Sequence, residues 1–95
     1  MERFEWDPAK SDENLRKHGI SFEQAREIWD GDYVDIPHVA YAKDHEARNA
    51  TIGVVGGRIH VAVWVSRASK IRLISVRRVR KNEKRAYEKV VQERR

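Results

Sequence analysis

Cysteine is absent from the 95 residues, and long apolar runs are absent as well. Without cysteine there are no disulfide bonds, no thiol catalysis and no cysteine-ligated zinc. No stretch approaches the roughly 20 consecutive apolar residues that a membrane-spanning helix requires. Residues Met1–Phe4 lack the charged start and apolar run of a secretion signal. We therefore expect a cytoplasmic protein with no membrane segment.

The shortness of the chain limits its core. A chain of this size buries only about 60–65% of the surface that its unfolded form exposes. One modest core in a single domain over residues 1–95 is the expected result. A deep enclosed cavity is not expected, so any chemistry should take place in a shallow groove.

Charge is divided unevenly along the chain. The formal net charge is +5, but residues 1–47 carry 6 Lys/Arg against 12 Asp/Glu, and residues 48–95 carry 14 against 3. A basic half of this kind attracts phosphate without sequence specificity, which indicates contact with nucleic acid. The alternative is that the two halves simply attract each other on the folded surface.

The N-terminal residues predict a short strand and then a helix. Phe4 and Trp6 alternate with charged neighbours, as in a strand. Asp7 can accept a hydrogen bond from a helix N-terminus, and Pro8 suits the first helical position. Gly19 should end this helix in the left-handed conformation.

A second helix should follow almost at once. Ser21 and Gln24 are spaced as a capping box, and Gly31 should close the helix. Its apolar face at helical spacing comprises Phe22, Ala25, Ile28 and Trp29.

The middle of the chain predicts a sheet. Tyr33–Pro37 is a short strand whose proline indicates an edge or an end. The polar stretch His38–Ala47 is interpreted as a loop. Two apolar runs, Ala50–Val55 and Ile59–Val65, flank Gly56-Gly57, which is a strong hairpin signal.

The end of the chain adds a strand and a helix. A turn at Ala68-Ser69-Lys70 leads into a strand at Ile71–Val76, and Lys81–Arg95 is rich in helix formers. The order β-α-α-β-β-β-β-α predicts an α+β fold. Its mostly antiparallel sheet of four to five strands is joined by two N-terminal helices and one C-terminal helix.

Basic residues gather where the last strand meets the last helix. Arginine presents a planar fork that matches phosphate oxygens, and a helix N-terminus adds amide donors. A solvated basic helix is the alternative interpretation. The cluster consists of Arg77, Arg78, Arg80, Lys81, Lys84 and Arg85.

Arg72 is the most informative single residue. Simple alternation places it on the face opposite Ile71 and Leu73, together with Ile74 and Val76. A cation held rigidly on a strand can stabilise a transition state. An ordinary exposed strand arginine is the alternative.

The first helix carries a polar stripe. Lys10, Asn14 and His18 recur every four residues, and Lys17 lies beside them. A histidine titrates near neutral pH and can transfer protons. Alternatively, His18 stabilises the helix C-terminus, and Asn14 bonds a nearby backbone group.

The remaining candidates are weaker. Glu46 precedes Arg48 in the predicted loop, where it could take a proton, pair with the arginine or be solvated. Tyr87 could stack on a base, although packing of its ring on the sheet is the preferred interpretation. The histidines lack metal-ligand spacing, so neither a metal nor a cofactor is predicted.

Two ordered sets of residues resemble the BrnT-type toxins of bacterial type II toxin–antitoxin pairs. The first set is Phe4-Glu5-Trp6-Asp7-Pro8, Lys10, Asn14, Lys17-His18-Gly19, Ser21-Phe22-Glu23 and Ala25. The second is Arg48, Thr51-Ile52-Gly53, Arg72-Leu73-Ile74-Ser75-Val76-Arg77-Arg78, Glu83-Lys84-Arg85 and Tyr87-Glu88.

This resemblance implies a RelE-like fold and a ribonuclease that blocks translation. It further implies a neighbouring BrnA-type antitoxin with a ribbon-helix-helix part, through which alone the complex would contact operator DNA. One departure concerns position 80, where the family leads us to expect a threonine cap. Arg80 stands there, and Asn82 could cap the last helix instead.

The hypothesis that follows is metal-independent RNA cleavage. Arg72, Arg77 and Arg48 would stabilise charge on the scissile phosphate, and His18 and Glu46 would transfer protons. The RNA-binding residues would be Arg78, Arg80, Lys81, Lys84, Arg85, Lys17, Lys10 and Tyr87. A non-catalytic nucleic-acid-binding module and a protein-interaction module remain as alternatives.

Overall fold

A sheet of five strands forms the centre of the computed structural model, which describes residues 3–41 and 47–95, and side chains except those of residues 37–41. The elements are β1 (Phe4–Glu5), α1 (Pro8–His18), α2 (Phe22–Ala25), a 3₁₀ helix (Arg26–Asp30), β2 (Val34–Tyr41), β3 (Ala47–Val55), β4 (Arg58–Arg67), β5 (Lys70–Arg78) and α3 (Lys81–Glu93). The strand order is β1-β5-β4-β3-β2. Only the β1–β5 pairing is parallel among the described strands, which confirms the predicted α+β class.

Local signals place the first helices as predicted. The Asp7 carboxylate accepts a hydrogen bond from the Ala9 amide at 2.9 Å, and Gly19 ends α1 with a φ of 71°. Ser21 and Gln24 form the complete capping box of α2. The α-helical turns stop at Ala25, however, and tighter 3₁₀ turns continue to Asp30.

The core lies on both faces of the sheet. On one face, α1 and α2 pack on β5 and the 3₁₀ helix packs on β3, and we call this the helical face; its buried residues include Phe22, Ile28, Ala62, Leu73 and Val76. On the other face, α3 covers one end only, and the buried residues there are Ala50, Ile52, Val61 and Tyr87. Among residues 3–41 and 47–95, α3 is therefore the only helix on that second face, and it leaves much of the face uncovered.

A bulge in β5 corrects the prediction for Val76. Val63 pairs with Ser75 and Trp64 pairs with Leu73, so Ile74 is an extra residue in the ladder. The alternation of side chains changes phase at this residue. Val76 consequently joins Leu73 in the core of the helical face instead of sharing the face of Arg72.

The predicted loop at His38–Ala47 is also partly wrong. β2 continues through Pro37 to Tyr41, and Ala47 already belongs to β3. β2 is the outer strand of the sheet, where a proline is tolerated because, among the described strands, β2 has a neighbour on one side only. The pairing register shifts between Ile36 and Ala40, around this proline.

The start of α3 differs from the prediction as well. Arg80 occupies the cap position, and its backbone amide donates to the Glu83 carboxylate at 2.8 Å. Asn82 therefore lies inside the first turn and does not cap the helix. The Glu83 carboxylate thus supplies one half of a capping box; a threonine at position 80 would have supplied the other half by accepting from the Glu83 amide.

Candidate nucleic-acid interface

Three arginines lie on the sheet face that α3 leaves partly open. Arg77 pairs with Val61 and Arg72 pairs with Val65, two positions of β4 that are four residues apart and share a face. Arg48 precedes the Asn49–Trp64 pair by one residue, which places it in the row of Val65. We call the surface formed by Arg48, Arg72 and Arg77 the cationic face.

The β5 bulge is what unites two of these arginines. Arg72 and Arg77 are five residues apart, and a regular strand would point them to opposite faces. The extra residue, Ile74, restores them to one face. The sequence alone therefore did not predict that they lie together.

The spacing of the arginines suits a ligand lying between them. Four residues of β4 separate the rows of Arg77 and Arg72, which is roughly 13 Å, and two strand spacings separate Arg72 from Arg48, roughly 10 Å. Val65, in the row between Arg48 and Arg72, is 1% exposed. The three cationic side chains thus lie around a valine that neighbouring residues already cover.

Arg72 is held by a carboxylate on the neighbouring strand. Its Nη1 lies 2.9 Å from Oε2 of Glu5, the residue that it pairs with in the parallel β1–β5 ladder. The two side chains are 29% and 32% exposed. The pair positions the guanidinium but leaves it accessible to a phosphate.

Arg77 has a stronger partner in Glu83 at the start of α3. Its Nη1 and Nη2 donate to the two carboxylate oxygens at 2.8 and 3.0 Å. This fork, together with the bond from the Arg80 amide, lowers the pKa of Glu83 to about 2, against a smaller opposing effect of burial. The fork to Glu83 also raises the pKa of Arg77, against a smaller opposing effect of burial.

Arg48 is placed differently. Its Nε is buried and has no hydrogen-bond partner among the described residues. A buried donor without a partner costs free energy, so an incoming acceptor would be favoured at this position. Arg48 is thus well suited to contact an anionic ligand.

The predicted stripe on α1 lies at the edge of β5. Lys10, Lys17 and His18 line a small hollow of about 160 Å³ with Ile74 and Ser75. Lys17 pairs with Glu13 at 2.7 Å. The structure thus brings these three residues together beside β5, but not onto the cationic face.

Asn14, the central member of the stripe, has a structural part. Its side-chain amide donates to the carbonyls of Ile20 and Val76, each at 2.9 Å, and its oxygen accepts from the Val76 amide at 3.1 Å. The alternative in which Asn14 bonds nearby backbone is therefore confirmed. These bonds close the edge of β5 where β1 ends.

Comparison with known proteins decides the family. A family model described as "Ribonuclease toxin, BrnT, of type II toxin-antitoxin system" matches residues 6–83. The chain belongs to the BrnT family. A search of curated proteins gives no match. A BrnT-family toxin is a ribonuclease with an antitoxin partner.

The matched range of the BrnT model contains the complete cationic face. It includes Arg48, Arg72, Arg77 and also Glu83, whereas Glu5 lies outside it. Among the described residues, no group of three potential metal ligands comes together, and no helix there is long and apolar enough to cross a membrane.

The other predicted residues of this BrnT-family chain are scattered more widely. Glu46 lies outside the described residues. Tyr87 is 6% exposed and donates its hydroxyl to the Asp32 carbonyl at 2.7 Å, so its ring packs in the core and offers no face to a base. The exposed cations that continue from Arg77 around the start of α3 are Arg78, Arg80, Lys81, Lys84 and Arg85.

Sequence reasoning missed one cluster. The sequence alone gives His60 and Arg58 no functional role, because the spacing of the histidines does not suit a metal site. In the structure both line a pocket with His18 and Arg78. The available signal was the strand alternation, which places positions 58 and 60 on one face of a hairpin strand.

Proposed function

We propose that this chain is an endoribonuclease toxin that cleaves RNA through the 2′-hydroxyl, needs no metal ion and thereby blocks translation. The observation that carries the proposal is the cationic face, on which Arg48, Arg72 and Arg77 lie on one side of the sheet, with Arg72 and Arg77 about 30% exposed. Membership of a family of ribonuclease toxins supports it.

For this cleavage reaction the protein mainly has to orient the RNA and stabilise the negative charge that develops. RNA supplies its own nucleophile, the 2′-hydroxyl, which must lie in line with the scissile phosphate. Attack adds negative charge to the phosphate, and preorganised arginines stabilise that charge. Arg72 and Arg77 are preorganised by Glu5 and Glu83, and phosphate oxygens would compete for the same guanidinium donors.

The proton transfers are assigned to His18 and Glu46, with Lys17 as a substitute cation. His18 lies at the edge of β5, and Arg72 and Arg77 lie on one face of the same strand. An RNA strand that crosses this edge would therefore contact His18 and the two arginines. Glu46 lies two positions before Arg48 in the chain. The RNA chain would continue over Arg78, Arg80, Lys81, Lys84 and Arg85, and over Lys10.

The partner would be a BrnA-type antitoxin with a ribbon-helix-helix part. Such a partner would cover the cationic face with acidic or apolar groups, and the complex would contact operator DNA only through the antitoxin. The ion pairs of Arg72 and Arg77 support this because they show that the face accepts carboxylates. Copurification from a strain that carries the flanking genes tests this assignment.

The decisive experiment uses pure protein, single-stranded RNA and excess EDTA. Discrete RNA fragments are expected from the wild-type protein. Arg72→Ala and Arg77→Ala should each slow cleavage by about 10²–10³-fold, the usual effect of removing one transition-state donor. Arg16→Ala, an exposed arginine of α1, is the matched control and should cleave normally.

Two results would contradict the proposal. Intact RNA after incubation, with binding that weakens steeply as salt rises, would indicate a non-catalytic nucleic-acid-binding module. Cleavage that EDTA abolishes would refute the metal-independent mechanism. Inducible expression should arrest growth and protein synthesis, and coexpression of the antitoxin should restore both.

A further inference from the structure

A second concentration of cations lies at a pocket on the helical face of the sheet. The pocket has a volume of about 400 Å³. It opens between the end of α1, the β3–β4 turn, the start of β4 and the end of β5. Its titratable and charged lining residues are His18, Arg58, His60 and Arg78. His60 pairs with Arg78, one residue along from the Val61–Arg77 pair, so the pocket and the cationic face lie on opposite sides of the same strands.

His60 is buried and its tautomer is fixed. The residue is 6% exposed, and its Nδ1 lies 2.9 Å from the Arg58 carbonyl. A carbonyl can only accept, so Nδ1 carries the proton and donates it. In the neutral ring Nε2 is then an acceptor, and it has no hydrogen-bond partner among the described residues.

The surroundings of His60 favour the neutral ring. Burial lowers the pKa of His60, and the charges of Arg78 and Arg58 lower it further, while the bond to the Arg58 carbonyl acts in the opposite direction. His18 lies at the rim of the pocket. Glu27 is not among the lining residues, and its carboxylate accepts from the Gly56 amide at 2.8 Å beside the pocket.

The two arginines supply anion-binding groups around this acceptor. Arg78 is directly across the ladder from His60, and Arg58 lies two residues before it on the same strand. Residues in these positions have side chains roughly 5–7 Å apart at their bases. Both arginines are exposed and can turn their guanidinium groups toward a ligand in the pocket.

We propose that this pocket binds a ribose–phosphate unit of RNA, in which Arg58 and Arg78 bind the phosphate and Nε2 of His60 accepts a hydrogen bond from the 2′-hydroxyl. The proposal rests on the RNA substrate of the proposed function and adds a second binding site for it. A neutral acceptor between two cations matches a hydroxyl donor next to a phosphate. DNA lacks that donor, so this site would distinguish RNA from DNA.

The test uses ligands that cannot be cleaved, namely adenosine 3′-monophosphate, its 2′-deoxy analogue and inorganic phosphate. Calorimetry on the wild-type protein should show about three- to tenfold tighter binding of the ribonucleotide than of the deoxynucleotide, the effect of one hydrogen bond. Long-range ¹H–¹⁵N spectra should show a shift of the His60 Nε2 resonance with the ribonucleotide only. Inorganic phosphate should compete with both nucleotides.

Variants separate the two halves of the site. His60→Phe should bind both nucleotides equally, with the affinity of the wild type for the deoxynucleotide. Arg58→Gln and Arg78→Gln should weaken binding of both nucleotides by about tenfold, whereas Lys89→Gln, an exposed lysine of α3, should bind as the wild type does. The spectra of the wild-type protein decide the question even if His60→Phe fails to fold.

Equal affinity for the two nucleotides, or an unperturbed His60 ring, would overturn the proposal. A phosphate-only site would give equal affinities and so counts against it. This failure is distinct from a failure of the proposed function. RNA cleavage without discrimination between the nucleotides would refute the pocket alone, and discrimination without RNA cleavage would refute the ribonuclease alone.

Discussion

Asn14 shows how a polar residue that resembles a catalytic group can instead complete the fold. It is 6% exposed and makes three hydrogen bonds to backbone groups of Ile20 and Val76. The bonds to Val76 satisfy the free edge of β5 beyond β1, whose two residues pair only with Ile71 and Arg72. The sequence allows for a backbone bond by Asn14 but cannot name the partner, because Val76 lies 62 positions away.

We expect Asn14→Ala to destabilise the protein by about 2–3 kcal/mol, since it leaves buried backbone groups without partners. The melting temperature should fall by roughly 10 °C or more for a domain of this size. Asn82→Ala, in an exposed position of α3, is the control and should melt within about 2 °C of the wild type. A small loss in Asn14→Ala would show that water replaces the amide.

Glu83 makes stability depend on pH in the acidic range. Its pKa is about 2 in the folded state, against 4.5 ordinarily, because Arg77 stabilises the charged form. A lowered folded pKa adds stability above the unfolded value, and this stability is lost as the pH falls from about 5 toward 2. The stability advantage of the wild type over Glu83→Gln should therefore shrink over that range.

The size of this effect should be modest. Both partners are partly exposed, so solvent screening limits the contribution to about 1 kcal/mol or less. Urea denaturation at pH 7, 4 and 2.5 measures it, with Glu88→Gln, an exposed residue of the same helix, as the control. A constant difference between wild type and Glu83→Gln across these pH values would contradict the account.

Among the elements, the β4–β5 turn stands out because it uses residues that are poorly suited to it. Ala68 and Ser69 adopt φ angles of 49° and 68°, whereas the β3–β4 turn uses Gly56 and Gly57 at similar angles. This left-handed backbone conformation costs residues other than glycine and asparagine about 1–2 kcal/mol. Two-residue turns with positive φ at both positions favour Asn-Gly.

The double substitution Ala68→Asn and Ser69→Gly should therefore stabilise the protein by about 1–2 kcal/mol. Thermal unfolding provides the measurement. Gly56→Ala and Gly57→Ala in the other hairpin serve as the opposite control and should each destabilise it. A lower melting temperature for the double variant would mean that the side chains of Ala68 and Ser69 make contacts that offset the strain.

The packing of the 3₁₀ helix on β3 depends on one glycine. A Cβ atom on Gly53 would lie 2.8 Å from both Cγ2 and the carbonyl oxygen of Ile28. The backbone cannot yield easily, so we expect Gly53→Ala to cost about 1–3 kcal/mol through overpacking. Gly31→Ala has open space and ordinary backbone angles, and its unfolding free energy should remain close to that of the wild type.

At the level of the whole molecule, the uneven charge has two consequences. Part of the acidic half pairs with the basic half, as in Glu5–Arg72 and Asp32–Arg95, so the mutual-attraction alternative holds for those residues. The described residues of the acidic half leave Arg72 and Arg77 about 30% exposed. Electrostatic attraction of RNA is therefore available to the folded chain.

Salt dependence provides a test at this scale. The logarithm of the affinity for a non-cleavable 2′-O-methyl oligonucleotide should fall linearly with the logarithm of salt concentration, by about 0.7 for each neutralised phosphate. Arg77→Gln should reduce the magnitude of this slope by about 0.7, and Arg16→Gln should leave it unchanged. An identical slope for Arg77→Gln would remove that residue from the RNA contact.

Structural features that depend only on residues close together in the chain can be predicted from the sequence. The capping box at Ser21, the glycine end of α1 and the Gly56-Gly57 hairpin each depend on groups within a few positions of one another. The family was equally readable, since its residues occur in order along the chain. Local hydrogen bonding and backbone angles are fixed by short segments, which explains this success.

Which of the candidate site residues lie together on one face of the sheet depends on the tertiary fold. The extra residue at Ile74 reverses the alternation of β5, and Arg72 and Arg77 lie on one face for that reason alone. The pairing of β4 with β5 likewise brings His60 beside Arg78 across the hairpin. Strand register and bulges follow from packing between distant segments, so a period of two read along one strand cannot reveal them.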